Sequence, residues 1–226
     1  MTIDEIYRIV LYATAKNASQ GYVSPDDFNL TINQAQQSYV AYLLGSFQQY
    51  MPGRPVARVE FGQNTIIRTR LAPIIYWYDL SVDPDGFSDY PGDYLQTDAM
   101  FTYGNYNRIR AVQQDSLYSY YNSVIDPIAS NPIYILEDLG FRFFPEDINE
   151  AKLSYVRNPP EMKWVYTLNL TTGIPEYDAT ASAPFQPVWD DASILEIIVR
   201  ALAIIGVNLQ LNTVMQYSMD IKNQGQ

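Results

Sequence analysis

The chemistry open to this chain is bounded first by what it lacks: its 226 residues contain no histidine and no cysteine. That removes Ser-His-Asp and Cys-His catalysis, thiol redox work and the common zinc sites. Carboxylates, tyrosine, lysine and arginine remain. Asp79 follows Tyr76, Trp77 and Tyr78, and Asp190 and Asp191 follow Trp189, which is the company a glycosidase acid pair keeps with its sugar-stacking platforms. No spacing typical of a glycosidase accompanies them, so they read as solvated acids beside core aromatics. Ser81, Asp83, Asp85 and Gly86 match positions one, three, five and six of an EF-hand loop, but position twelve is Gly92 where calcium needs a bidentate Glu, so the segment reads as an Asp-Gly turn. Arg54, Arg58, Arg68, Arg70, Arg108 and Arg110 alternate on strand-like segments and read as intersubunit partners for carboxylates before they read as phosphate contacts. Glycine and lysine spacing offers neither a Walker loop nor a dinucleotide fingerprint. The sequence thus predicts no catalytic residue, no metal site and no cofactor.

Charge patterning says more. Between Asp27 and Arg54 there is no charged side chain, although Phe28, Ile32, Ala35, Tyr39, Leu43 and Phe47 recur at helical spacing. The opposite face is made of amides, Asn29, Asn33, Gln36, Gln37, Gln48 and Gln49, which hydrogen-bond without the cost of burying a charge. Residues 201–219 repeat the pattern. A solvated helix carries Lys and Glu, whereas interface cores lose charge and keep aromatics. The reading is an assembly subunit, with Gln36, Gln37, Tyr39 and Tyr42 at a subunit interface. Charged residues are 17% of the chain, against about 25% in an ordinary soluble domain, while Tyr occurs 20 times.

The overall balance is acidic, 14 basic against 25 acidic side chains, or −11, with a pI near 4.3. A protein that grips phosphate backbone has the opposite balance. An acidic channel wall would instead let DNA slide past. The first segment carries Asp4 and Glu5 where a secretory leader is basic, so no signal peptide is expected. Residues 194–205 are the most apolar stretch, too short for a membrane span and interrupted by Glu196 and Arg200.

The elements that hold these residues follow from caps and breakers. Thr2 and Glu5 form a capping box before Ile6, Ile9, Val10 and Ala13, and the polar stretch 16–21 ends that helix. Ser24 as N-cap, Pro25 in the first turn and Asp27 near the positive dipole end start a second helix, expected to run to about Tyr50. From 56 to 189 short runs of β-branched and aromatic residues are punctuated by Pro and Gly. Strands are expected at 65–71, 74–82 and 164–170, with hairpins pairing 100–103 with 108–112 around Gly104-Asn105 and 133–136 with 141–144 around Gly140. A short helix is expected from Pro145 through Val156, and a loop over 171–187. Asp190 or Asp191 caps a last helix with a stripe of Ile194, Ile197, Ile198, Ala201, Leu202 and Ile205, which Gly206 ends or bends, and a further helical stretch covers 212–221. The fold class is α+β: two N-terminal helices and a C-terminal helical segment packed with a β-rich, loop-rich middle. The segments are 1–52, 53–189 and 190–226, joined as one assembled domain.

The order of elements, with Tyr22-Val23-Ser24-Pro25-Asp26-Asp27-Phe28-Asn29, Tyr155-Val156-Arg157-Asn158-Pro159 before Trp164, and an ending from Gly206-Val207-Asn208-Leu209 through Gln216-Tyr217 to Gln224-Gly225-Gln226, resembles structural proteins of crAss-like tailed bacteriophages, specifically a ring protein of the head-to-tail connector. The resemblance implies a virion protein whose twelvefold ring docks below the portal, touches other connector or tail proteins and lets DNA through without tight binding. It also implies that the C-terminal segment, with Tyr217, Ile221, Gln224 and Gln226, reaches the portal or a neighbouring subunit. A carbohydrate-binding or glycan-depolymerising tail component is the alternative.

Overall fold

The computed structural model describes residues 1–17, 23–45, 65–120 and 126–208. Its elements group into two units, a mainly helical one from the described residues of Met1–Pro73 and Pro159–Gln226, and a β unit, Ile74–Asn158, inserted between them in the chain. Residues 159–189, which the sequence groups with the middle region, belong to the helical unit. The class is α+β, as the sequence predicts.

In the helical unit the caps act as expected. Thr2 and Glu5 bond reciprocally, Thr2 N–H to Glu5 Oε2 at 2.8 Å and Glu5 N–H to Thr2 Oγ1 at 3.3 Å, and α1 runs Ile3–Asn17. It buries Ile3, Ile6, Tyr7 and Val10, while Ile9 lies on the solvent side. Ser24 accepts a bond from Asp27 N–H and opens α2, Pro25–Leu43, which buries Phe28, Ile32, Ala35, Tyr39 and Leu43. The helix does not reach Tyr50: it closes at Leu44, followed by Gly45 in the left-handed region at φ +75°, where a side chain would be strained. Residues 65–71 form a helix, α3 (Thr65–Leu71), not a strand. Thr69 Oγ1 donates to Thr65 O one turn back, so its hydroxyl is satisfied within the helix and β-propensity yields to local hydrogen bonding.

Trp164 and Trp189 are buried here. Tyr7 sits between Phe28 and Trp164, with ring centroids 4.9 and 4.2 Å away. The final helix, Asp191–Asn208, buries Ile194, Ile197, Ile198, Ala201 and Ile205 and continues past Gly206. Tyr39 Oη donates to Ser193 Oγ at 2.9 Å, tying this helix to α2.

The β unit holds two sheets. The first has the order β1-β7-β3, from β1 (Ile75–Ser81), β3 (Tyr94–Thr102) and β7 (Glu150–Arg157), all antiparallel. The expected helix over residues 145–156 is therefore mistaken, since 150–157 is the central strand of this sheet. Its alternation of Ala151, Leu153 and Tyr155 turns every second side chain into the core, and it pairs on both sides with long-range partners. The second sheet has the order β2-β6-β5-β4, from β2 (Phe87–Asp89), β4 (Arg110–Ala111), β5 (Ile133–Leu136) and β6 (Gly140–Phe144). Leu80, Met100, Leu153 and Tyr155 of the first sheet meet Tyr134, Phe141 and Phe143 of the second in one core.

The expected β5–β6 hairpin forms, with Leu136 opposite Phe141 and Ile133 opposite Phe144. The hairpin at Gly104-Asn105 is present as a bridge between Phe101 and Arg108, after which β4 leaves to pair parallel with β5. Of the expected strand 164–170, residues Tyr166–Leu168 (β8) are extended, and they pair with Pro175–Tyr177 (β9) inside the expected loop. The helix Asp191–Asn208, the last among the described residues, is α4. Arg68 and Arg70 fall on α3, so the expected alternation of arginines on strands does not hold there; Arg54 and Arg58, the end of the predicted second helix, the predicted helix 212–221 and the C-terminal candidates Tyr217, Ile221, Gln224 and Gln226 lie outside the described residues. Among the described residues no helix is long and apolar enough to cross a membrane.

Candidate interaction surface

The amide row of α2 has a use the sequence does not reveal. Asn29, Asn33 and Gln36 stand at i, i+4 and i+7 on one face and grip the backbone of residues 160–164, which run antiparallel to the helix. Asn29 donates to Trp164 O at 3.1 Å and accepts from Trp164 N–H at 2.8 Å. Asn33 does the same with Met162, at 2.7 and 2.9 Å. Gln36 donates to Pro160 O at 3.0 Å, and proline has no N–H to satisfy. The match is metric: the four residues from Asn29 to Asn33 advance about 6.0 Å along the helix, close to the about 6.6 Å that two residues of extended chain advance. A primary amide carries both a donor and an acceptor, so each one replaces a strand partner for the residue it faces.

This clamp sorts the predicted interface residues. Gln36 is 1% exposed, and besides gripping Pro160 it accepts a bond from Trp189 Nε1 at 3.2 Å. Tyr39 is fully buried against Trp189, edge to face at 5.5 Å. Both belong to the chain's own interior, because they are buried and hydrogen-bond within the chain. Gln37 and Tyr42 are exposed, Tyr42 at 58% with the Arg200 guanidinium 4.9 Å from its ring centroid. Arg200 also donates to Glu196 at 2.8 Å, so a partly exposed ion pair borders Tyr42.

With the clamp on one flank and the core on another, the face of α2 left to solvent comprises Asp26 and Asp27 in the first turn and then Leu30, Gln34, Gln37, Ser38, Ala41 and Tyr42. From Leu30 onward none is charged, and Leu30 is 72% exposed. Leu195 on α4 is exposed as well.

A second apolar feature of the helical unit escapes periodicity. The β8–β9 hairpin ends in a tip where Leu168 and Ile174 are exposed and Leu170 is fully so. The tip is ordered by Asn169, whose Oδ1 accepts from Thr171 and Thr172 N–H at 2.9 and 3.2 Å, and by Gly173 at φ +67°. Trp164 stacks on Tyr166 and Tyr177 at the hairpin's base, 5.9 and 5.8 Å between centroids.

The acid-aromatic constellations are distributed differently from a paired site. Asp79 faces Lys152 Nζ at 3.6 Å beside the exposed Trp77, which stacks on Phe101 at 6.2 Å. Trp189 is internal, and Asp191 binds the N-terminal ammonium at 2.7 Å, an interaction that raises the ammonium's pKa. Residues 83–86 form the expected turn, Gly86 N–H to Asp83 O at 2.8 Å with Gly86 at φ +73°. Among the described residues no group of three or more Asp or Glu side chains converges on a common point. In the β unit, Tyr155 donates to Asp93 Oδ1 at 2.7 Å; burial and that carboxylate push its phenol pKa well up. No protein-family model matches the chain, and no curated protein matches it.

Proposed function

We propose that this chain is a virion structural protein, a subunit of a head-to-tail connector ring that sits below the portal of a tailed bacteriophage and forms part of the genome conduit. The observation that supports this best is the solvent face of α2, uncharged from Leu30 to Tyr42 in a chain of net charge −11. Copies carrying that charge repel one another, so close contact is favoured where both partners are neutral. An adhesive neutral face is a liability on a monomer and an asset in a ring, where each subunit offers two different surfaces to its neighbours. The ring, its position and its twelvefold order rest on the resemblance of the chain to connector proteins. In this role the chain performs no catalysis, and DNA passes it as cargo.

Sedimentation velocity at micromolar concentration, alone and with a portal ring, tests the reading. Association that Gln37→Lys weakens is expected; a compact monomer that ignores the portal contradicts it.

The stacked Trp77–Phe101 pair, flanked by Asp79 and Lys152, favours glycan binding as a second reading. Quenching of Trp77 fluorescence by bacterial polysaccharide, lost in Trp77→Ala, would support it.

A further inference from the structure

We infer that the turn 83–86 of one copy seats the carboxylates of Asp83 and Asp85 on Arg108 and Arg110 of the next copy. The contact rests on the assembly reading above and names a pair of surfaces within the β unit. A ring interface is heterologous, so it needs two unlike patches on one subunit. In the second sheet, ordered β2-β6-β5-β4, the turn leads into β2 at one edge and Arg110 lies on β4 at the other. Three strand spacings, about 14 Å, separate those edges, so a copy does not close the pair on itself.

The basic patch is a rigid fork. Ile109 is buried in the core, which turns Arg108 and Arg110 outward on the same side. Ile109 N–H donates to Met100 O at 2.9 Å and Arg110 N–H to Pro132 O at 3.1 Å, so the backbone between the arginines is fastened on both flanks. Their side chains line a groove of about 480 Å³ together with Thr97, Asp98 and Tyr134. Of the five basic residues in the β unit, Arg142 and Lys152 are ion-paired and Arg157 lies over the Tyr76 ring. Arg108 and Arg110 are exposed and have no ion pair among the described residues. Asp98 accepts from Ser154 Oγ at 3.0 Å, and as one carboxylate it is outnumbered by the two guanidinium groups.

The occupant is chosen by spacing and by which carboxylates are unengaged. Among the described residues two acidic pairs share the i, i+2 spacing of the arginines, Asp83 with Asp85 and Glu176 with Asp178. Glu176 accepts from Asn169, and Asp178 accepts from Thr180 and Ala181 N–H. Asp83 and Asp85 are exposed, and their carboxylates have no hydrogen bond or ion pair among the described residues. Arg142 beside them is committed to Glu137 and to the Asp85 carbonyl oxygen, and Glu146 adds a further negative charge there. The hydrogen bond from Gly86 N–H to Asp83 O holds both acids in a turn less than about 7 Å across, against about 6.6 Å between alternate residues of the arginine strand. Copies of net charge −11 repel one another, and that repulsion is relieved where opposite charges meet. Guanidinium groups fixed in a groove accept carboxylates in charge-assisted, bidentate fashion. Duplex DNA is the poorer occupant, because Asp98 stands in the groove and the chain around it is acidic.

The double reversals Arg108→Glu/Arg110→Glu and Asp83→Arg/Asp85→Arg are made as separate proteins. Each alone sets like charges across the contact, so each should sediment as folded protein with self-association weakened at least about tenfold. An equimolar mixture restores opposite charges at both kinds of junction and should assemble as wild type does. Wild-type association should also weaken as salt rises. If a reversed protein misfolds, Arg108→Gln/Arg110→Gln and Asp83→Asn/Asp85→Asn replace it, each weakening association at unchanged melting temperature. A variant that assembles like wild type, a reversed mixture no better than its components, or wild-type association indifferent to salt would overturn the contact and leave the assembly reading standing. So would loss of duplex DNA binding, with assembly intact, in the arginine variant. Failure of the wild-type chain to associate, alone or with a portal ring, would overturn both.

Discussion

Two neighbouring glutamines on α2 should respond in opposite ways to truncation. Gln36→Ala removes the donor to Pro160 O and the acceptor of Trp189 Nε1–H, both in a residue 1% exposed. Each orphaned buried group costs roughly 1–2 kcal/mol. The lost methylene adds about 0.8 kcal/mol, and alanine's better helix propensity returns only a few tenths. The sum is a destabilisation of about 3 kcal/mol, large for one substitution. With a urea m value of about 2–3 kcal/mol per molar, the midpoint should fall by roughly 1–1.5 M. Trp164 and Trp189 are both buried in the helical unit, so tryptophan emission reports the transition directly. Gln37→Ala, on the exposed face, should move the midpoint by less than about 0.5 kcal/mol equivalent and should weaken self-association instead. Equal stability of the two variants would refute the assignment of Gln36 to the interior and restore it to the interface.

Further outcomes follow from the same geometry. Asn33→Ala strips both bonds from Met162 and should cost about 2–3 kcal/mol in the urea assay, whereas Asn33→Asp keeps the acceptor, loses the donor and should cost nearly as much. Gly140→Ala places a methyl on the Ser88 carbonyl oxygen and should disrupt β2–β6 pairing, read as loss of near-ultraviolet circular dichroism from the β unit. Tyr155 has its phenol pKa raised above the ordinary value of 10, so its contribution is full below that pH and is lost as pH rises beyond it; Tyr155→Phe should flatten the alkaline fall in urea midpoint. Duplex DNA should show no retardation by the free protein at moderate salt, and a salt-sensitive submicromolar affinity would point to the exposed Arg108 and Arg110 instead.

Local signals were readable. Thr2 with Glu5, and Ser24 with Pro25, start helices in the structure where their side chains can reach the first-turn N–H groups, because capping is settled within four residues. The β5–β6 turn is similarly short-range. The misreadings share one cause, partners far away in sequence. Residues 150–157 contain Glu, Ala and Lys, good helix formers, yet they become the central strand because β1 and β3 supply pairing on both sides. The amide row was legible as an uncharged face, but its partner lies more than 120 residues away at Pro160. Only the i, i+4, i+7 spacing of Asn29, Asn33 and Gln36, set against an extended Pro159-Pro160 segment, hinted at a clamp. The hairpin tip went unread because Leu168, Leu170 and Ile174 fall in and around a segment that composition marks as loop.

Electron microscopy of the purified protein, alone and mixed with a portal ring, tests the central claim most directly. The account predicts closed rings of rotational symmetry, twelvefold on the portal, which Gln37→Lys disperses into folded monomers. Monomeric particles under both conditions, from protein whose tryptophan emission shows it folded, would contradict it.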